Sequence, residues 1–585
     1  MNIRSNIMTF LKDNLASIIV TLIFLAYTLF TFGFYFERTL NGDLNNHILS
    51  SEKFGVPQAL KERGIKPLYY GPGQTGWDGQ FYYYMSNDIL AQRDTASHID
   101  APSYRYQRIG LSLYAYIVAK VFGLGWISPT TYFVSYLLLI LAATFTGAQL
   151  FAKLGTHPAL ILLWSLSVGT QITLFNGLPD AAADAFLILA VSALFAKRYA
   201  LATIPFIFSA LSREVYTLFP SFILLFILLD LTVNSAISSK NRFHQVLSIL
   251  FKWRNYYWLA APGLAAVVWR IYVARHFGTS PSEQTGGIIG LPMVGWLDYF
   301  ISGISGNHKL LGSGYLAYTE AFSLFLFITV LAVGLWISLF TIIKRYSHVP
   351  PEIRGIAAVL ICFVYLYSSF GPIVIMLYSG YIKAIAGLFF AIPLMIVASG
   401  ITGKKKTITY YVLVISLIFS TIYNMKVKIL PLEPSLDKYT KMSSVSESKK
   451  IECFGEYSAK INIDSVNIIK SGFMRHLFGH DELLVVALSL TNTGKHNFVS
   501  SNNFGGVYMS YHWLDAQGNM VVDGIRSALP GIVSPGQTIN TSIVSYLPTG
   551  TGDIYLKPSP VQEGCAWFYQ SDLTVSNGIK INLAN

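Results

Sequence analysis

Long apolar runs recur from Leu15 to Tyr423, most of them about seventeen residues or longer, which is enough for a helix to cross a hydrocarbon core of about 30 Å. Such a chain cannot close around one water-soluble core. Its 12% of charged residues is half the soluble average of about a quarter, and the sequence therefore predicts a polytopic α-helical membrane protein. With Phe 39, Tyr 36, Trp 10 and only Cys 3, disorder and a disulfide scaffold both fall away. The net charge of +12 invites a nucleic-acid reading, but from Met425 onward 13 Lys and Arg balance 13 Asp and Glu. All the excess sits between the apolar runs, where the positive-inside rule puts it, and no nucleic-acid partner is needed.

The first run, Leu15 to Phe36, follows Arg4 and Lys12 without a small-residue cleavage site and reads as an uncleaved helix that starts in the cytoplasm. The segment Ile109 to Leu124 decides the rest. If it spans, Lys153, Lys197, Arg198, Lys240, Arg242, Lys252 and Arg254 all fall outside; if it lies along the interface, all fall inside together with Lys344, Arg345, Arg354 and Lys404 to Lys406. The second reading predicts eleven spans near 15–36, 128–150, 157–175, 181–196, 199–213, 215–233, 257–275, 317–342, 355–376, 381–401 and 407–424. The expected domains are a transmembrane domain over 1–424, with a first outer loop and juxtamembrane helices over 37–126, a linker over 425–450, and a periplasmic domain over 451–585.

That last domain reads as all-β, a sandwich, from alternating segments such as Leu483 to Leu490 and Gly506 to Trp513. Gly518-Asn519 and Ser534-Pro535-Gly536 mark turns. Cys453 and Cys565 pair as a disulfide in an oxidising compartment or remain two buried thiols. For Trp513 and Trp567 the better expectation is a place in the sandwich core.

Charge near membrane depth needs a reason. Under this topology Asp78, Asp88, Arg105, Arg108, Asp180, Asp184, Arg213 and Glu214 all fall on the outer side, which predicts one outward-facing site. Asp78 lies between Trp77 and Gly79 and precedes Phe81 to Tyr84, an aromatic run expected at headgroup level. It is either a reactive acid or the cap of a helix starting at Gly79. Asp180 and Asp184 share a helix face, suited to shaping the site or, for Asp180 after Pro179, to capping. No His or Cys accompanies them, so a divalent metal stays open and no ligand set is assigned. Arg213 either binds an anion or pairs with Asp180 or Asp184. In the glycine-rich loop from Gly278 to Gly314, Glu283, His308 and Lys309 could close over a headgroup or be solvated, and Lys383 holds an anion or snorkels.

Trp77-Asp78-Gly79-Gln80-Phe81-Tyr82, Tyr104-Arg105-Tyr106-Gln107-Arg108, Leu178-Pro179-Asp180 and Ser212-Arg213-Glu214, in that order, resemble the pattern of bacterial GT-C glycosyltransferases, relatives of the protein O-mannosyltransferases, aminoarabinose transferases and GPI mannosyltransferases. The resemblance covers roughly residues 10–230. Tyr511 to Asp515, Asp523 to Arg526 and Glu563 to Phe568 resemble a β-sandwich module of glycan-modifying proteins. What the resemblance implies is an inverting transferase of the inner membrane that takes a sugar from a polyprenyl-phosphate donor and gives it to a cell-envelope glycan, such as O-antigen, on the periplasmic face. A base must then deprotonate the acceptor hydroxyl and cations must hold the leaving phosphate. Asp78 is expected as the base, with Asp43 in reserve, and Arg105, Arg108 and Arg213 as the phosphate ligands. Tyr82, Asp180, Asp184, Glu214 and Lys383 are expected to shape the site, and Asp515, Asp523 and Arg526 to touch glycan. The alternatives are a flippase or transporter of a lipid-linked sugar, or a glycan polymerase or ligase; no paired broken helices of the kind transporters carry are evident.

Overall fold

The computed structural model describes residues 3–40, 42–68, 75–238, 256–281, 288–308, 312–313, 315–376, 378–424, 452–469, 483–500, 505–529, 531–547, 552–575 and 577–583. The expected linker 425–450, Glu283, Lys309 and the basic residues from Lys240 to Arg254 lie outside them. The chain forms two compact units, one of Met1–Phe32 with Asp78–Leu430 and one of Gly33–Trp77 with Pro431–Asn585.

The first unit is helical. Among the described residues, eight helices are long and apolar enough to cross a membrane: Asn14–Glu37, Pro129–Lys153, Glu214–Val233, Tyr257–Phe277, Ala317–Lys344, Pro351–Ser368, Ser379–Ala398 and Gly403–Tyr423. The other three expected spans differ for visible reasons. Residues Pro158–Ser165 and Val168–Phe175 are two pieces bent by 56°, because Ser167 leaves the helical conformation and its Oγ caps the second piece at Thr170 N. The helix Asp180–Phe195 has 16 residues, about 24 Å, and is buried on nearly every face. The helix Tyr199–Ser212 has 14 and stops where Arg213 turns to extended backbone, φ −145°, before Leu218–Ser238 begins.

The segment that decided the topology is a helix of 12 residues, Gly110–Val121, about 18 Å long and too short to span. Leu111, Ala115 and Ala119 are buried along one stripe, while Val121 and Phe122 are exposed. It is pinned at its far end by Asn87, whose amide exchanges two hydrogen bonds with Ile127, and by Tyr83 Oη donating to Ile127 O at 2.9 Å. The aromatic run corrects an expectation: Phe81, Tyr82, Tyr83 and Tyr84 are at most 1% exposed and pack inside the protein rather than at a headgroup layer.

In the second unit, two antiparallel sheets share one core. One has the order Ala459–Ile469, Leu483–Asn492, Thr538–Tyr546; the other runs through Ala566–Trp567, Gly552–Gln562, Val507–Leu514 and Met520–Asp523, with two further short strands at its sides. Leu484, Val486, Leu488 and Leu490 alternate inward from the first, and Val507, Met509, Tyr511 and Trp513 from the second. Trp513 Nε1 donates to Ser545 Oγ at 2.7 Å, so its polar end is satisfied in the core. Cys453 and Cys565 form a disulfide that closes a loop of 112 residues. Trp567 departs from expectation: it is half-buried and outside the core, with its ring 3.8 Å from that of His512 and the Arg526 guanidinium 5.0 Å above it.

Candidate functional site

Two close backbone approaches assemble the site. A Cβ on Gly79 would sit 1.7 Å from Asn176 O, so the helix Gly79–Ser86 meets the turn before Asp180 backbone to backbone. That turn is held by Tyr132 Oη on Gly177 O and Tyr136 Oη on Leu178 O. A Cβ on Gly110 would likewise sit 2.5 Å from Ser212 N, which brings Arg108 beside Glu214. Segments some hundred residues apart thereby converge on a cavity of about 280 Å³.

Its walls carry Asp78, Tyr82, Arg105, Arg108, Asp180, Arg213 and Lys383, among apolar neighbours that include Leu178, Phe370 and Val374. Asp78 precedes the helix Gly79–Ser86 but its carboxylate makes no cap hydrogen bond. Instead Oδ2 accepts from Arg105 Nη1 at 2.9 Å, the side chain stays 44% exposed, and Oδ1 has no partner among the described residues. Arg105 commits all three nitrogens, Nη1 to Asp78 and Nε and Nη2 as a fork to Asp100. Burial opposes the Arg105 charge, but the Asp100 hydrogen bonds and the Asp78 field outweigh it and hold its pKa above the usual arginine range. Burial pushes the Tyr82 phenol up, leaving it a neutral hydroxyl in the wall.

Arg108 forks onto Glu214 through Nε and Nη2 at 2.9 and 2.7 Å and lies 4.5 Å from the Tyr104 ring, which leaves Nη1 without a partner among the described residues. Arg213 makes the ion pair with Asp180 through one nitrogen, Nη1 to Oδ1 at 2.6 Å, and its buried Nε has no partner among the described residues. Lys383, carried by the helix Tyr378–Ile385, is the one cation in these walls that has no carboxylate within ion-pair distance among the described residues. Asp184 lies a turn deeper than Asp180 on the same helix face, 2% exposed, accepting from Trp164 Nε1 at 3.1 Å and from Tyr216 Oη. No three His, Cys, Asp or Glu side chains among the described residues are grouped to hold a metal ion.

Other expected site residues lie elsewhere. Asp43 belongs to the second unit, where its Oδ1 accepts from Asn45 N at 2.9 Å and caps the turn Leu44–Ile48. Asp515 is consumed by its own hairpin, accepting from the backbone of Gln517 and Asn519 and from the Asn519 amide. Asp523 and Arg526 do meet, with Glu563 as a third member and His512 Nε2 3.3 Å from Asp523. Asp88 is a helix-end acceptor for Gln92 N and Arg93 N.

Sequence reasoning missed Asp100 and, apart from Lys383, the wall formed by Phe370, Ile373, Val374, Gly380 and Ala384; it quoted Tyr104 in a motif but gave it no role. Asp100 lies five residues before Arg105 and was within reach of a search for its partners. Apart from Lys383 that wall is apolar, and its residues carry no local signal. Set against family models, curated proteins and solved structures, the chain matches none.

Proposed function

We propose that this cavity transfers a sugar from a polyprenyl-phosphate donor to a hydroxyl of a cell-envelope glycan, with inversion at the anomeric carbon. The observation that carries the reading is one carboxylate oxygen, Asp78 Oδ1, left open in a cavity that also carries Arg108 Nη1, the Arg213 guanidinium and Lys383 Nζ, while its second carboxylate, Asp180, is paired with Arg213. A base and an anion receptor thus line the same cavity.

In the proposed step, the acceptor hydroxyl gives its proton to Asp78 Oδ1 while its oxygen bonds to the anomeric carbon. The bond from that carbon to the phosphate oxygen breaks with its electron pair going to the phosphate, and the leaving group is neutralised by Arg108, Arg213 and Lys383. Arg105 is assigned a different role from the phosphate ligand expected of it. With every nitrogen on a carboxylate it holds Asp78 in place, a positioning residue. About 280 Å³ is at the lower edge of ligand pockets and suits a single sugar phosphate better than an oligosaccharide, which favours a transferase over a polymerase or ligase. In this reading the cavity opens away from the basic segments that the positive-inside rule assigns to the cytoplasm, and the Cys453–Cys565 disulfide supports an oxidising compartment for the second unit.

Membranes carrying the protein, given radiolabelled polyprenyl-phosphate sugar and envelope glycan, should transfer label. Asp78→Asn keeps the shape and removes the base, and its rate should fall about 10²–10⁴-fold at unchanged protein level. Undiminished transfer by Asp78→Asn would remove Asp78 from the chemistry, and no transfer by the unaltered protein with any such donor would remove the function.

A further inference from the structure

We propose that a second cavity, at the other end of the helix Asp180–Phe195, is a binding site for an anionic phospholipid. It encloses about 550 Å³ between the last turns of Pro129–Lys153 and Asp180–Phe195 and the first turns of Tyr199–Ser212. At about 1.5 Å per residue the intervening helix separates it from Asp180 by about 24 Å, so it shares no residue with the Asp78 cavity.

Its chemistry is divided. Lys153 and Arg198 line it, both exposed, and neither has a carboxylate partner among the described residues. The neighbouring Lys197 shows the contrast, since it is bound to Glu352 at 2.6 Å. Among the described residues no Asp or Glu lines the cavity. The remaining wall is mainly aliphatic, and Leu201 and Ile204, 53% and 58% exposed, stand on its outer margin, where an apolar helix surface faces lipid tails. Two cations without carboxylate partners among the described residues, lining a mainly aliphatic cleft, match a lipid whose phosphate carries a net negative charge and whose acyl chains lie against the helices. A solvated positive-inside pair would need no cavity. Gln149, whose amide donates to Asn14 Oδ1 at 2.5 Å, ties the first long helix to the cavity wall.

The test uses the full chain in bilayer nanodiscs containing equal amounts of phosphatidylglycerol and phosphatidylcholine, released into native mass spectrometry. Phosphatidylglycerol is expected to be retained over phosphatidylcholine by roughly tenfold or more, and Lys153→Gln with Arg198→Gln should bring the ratio to about one. Ile204→Trp, which fills the cleft and keeps both cations, should lower retention of both lipids and serves if the double variant does not accumulate. Equal retention of the two lipids by the unaltered protein, or a preference that survives Ile204→Trp, overturns the site. Displacement of phosphatidylglycerol by an equimolar polyprenyl phosphate overturns the choice of ligand, assigning the cleft to the carrier lipid instead.

Discussion

Arg213 and Asp180 meet with side chains only 13% and 12% exposed, whereas Arg526 and Asp523 meet with 28% and 49% exposed. Each pair was picked out from sequence as part of a site. The difference is what surrounds the charges. Around Asp180, helices exclude water, so each member of the pair depends on the other and both are held where the cavity needs them. Around Asp523, water and a third group, Glu563, share the load, and the loss of one partner can be made up by solvent. A charge beside a cavity in a helical bundle is therefore a structural commitment, while a charge on a sheet edge is a replaceable contact.

Breaking the first pair should give the largest effect. Asp180→Ala strands the buried Arg213 and should lower stability by about 3–5 kcal/mol, read as a fall in the thermal midpoint of the detergent-purified chain. Pairing it with Arg213→Met should restore most of that loss. Stability unchanged in the single variant would mean that water reaches Arg213 and that the contrast between the two clusters is false.

Next comes Gly387→Ala, because the added Cβ would lie 2.5 Å from Asp184 Oδ1 and 3.1 Å from Tyr216 Oη. Overpacking of this kind should cost about 1–3 kcal/mol and displace the helix that bears Lys383. A matching drop in sugar transfer with intact Asp78 would tie Asp184 to site geometry; normal transfer would reduce it to packing.

Asp523→Ala should change stability by no more than about 1 kcal/mol, measured as hydrogen exchange over the strand Val507–Leu514. A larger loss would place this cluster with the first.

The smallest effect is a pH dependence. Burial lowers the His512 pKa below its ordinary 6.5, only partly opposed by Asp523, with Tyr569 Oη and the Trp567 ring as its other neighbours. On acidification the unfolded chain takes up this proton first, so the contribution of neutral His512 to the stability of the second unit is fully present above about pH 6.5 and is lost as the pH falls below that value. His512→Gln should flatten the slope of exchange rate against pH in that window. An unaltered slope would assign the acid sensitivity to other groups.

How far the sequence reached depends on the range of the signal. Hydropathy over a window located the eight helices long and apolar enough to cross among the described residues, and the short polar Ser212-Arg213-Glu214 marks the break between Tyr199–Ser212 and Leu218–Ser238. It overcounted helices that can cross unaided, since Asp180–Phe195 is apolar all round through contact with other helices rather than with lipid. Alternation likewise identified the sheet faces and put Trp513 inside. It failed at Trp567, where a short terminal strand leaves the ring beside His512 instead of between sheets.

Composition, run length and charge asymmetry alone determined that this is a many-helix membrane protein with a β-rich tail, and they singled out nearly every polar residue of the cavity. Only the tertiary structure decided which of those charges are partners and which stay open. Pairing depends on backbones that approach within contact at Gly79 and Gly110, and that approach is a property of packed elements far apart in the chain, to which no local window is sensitive.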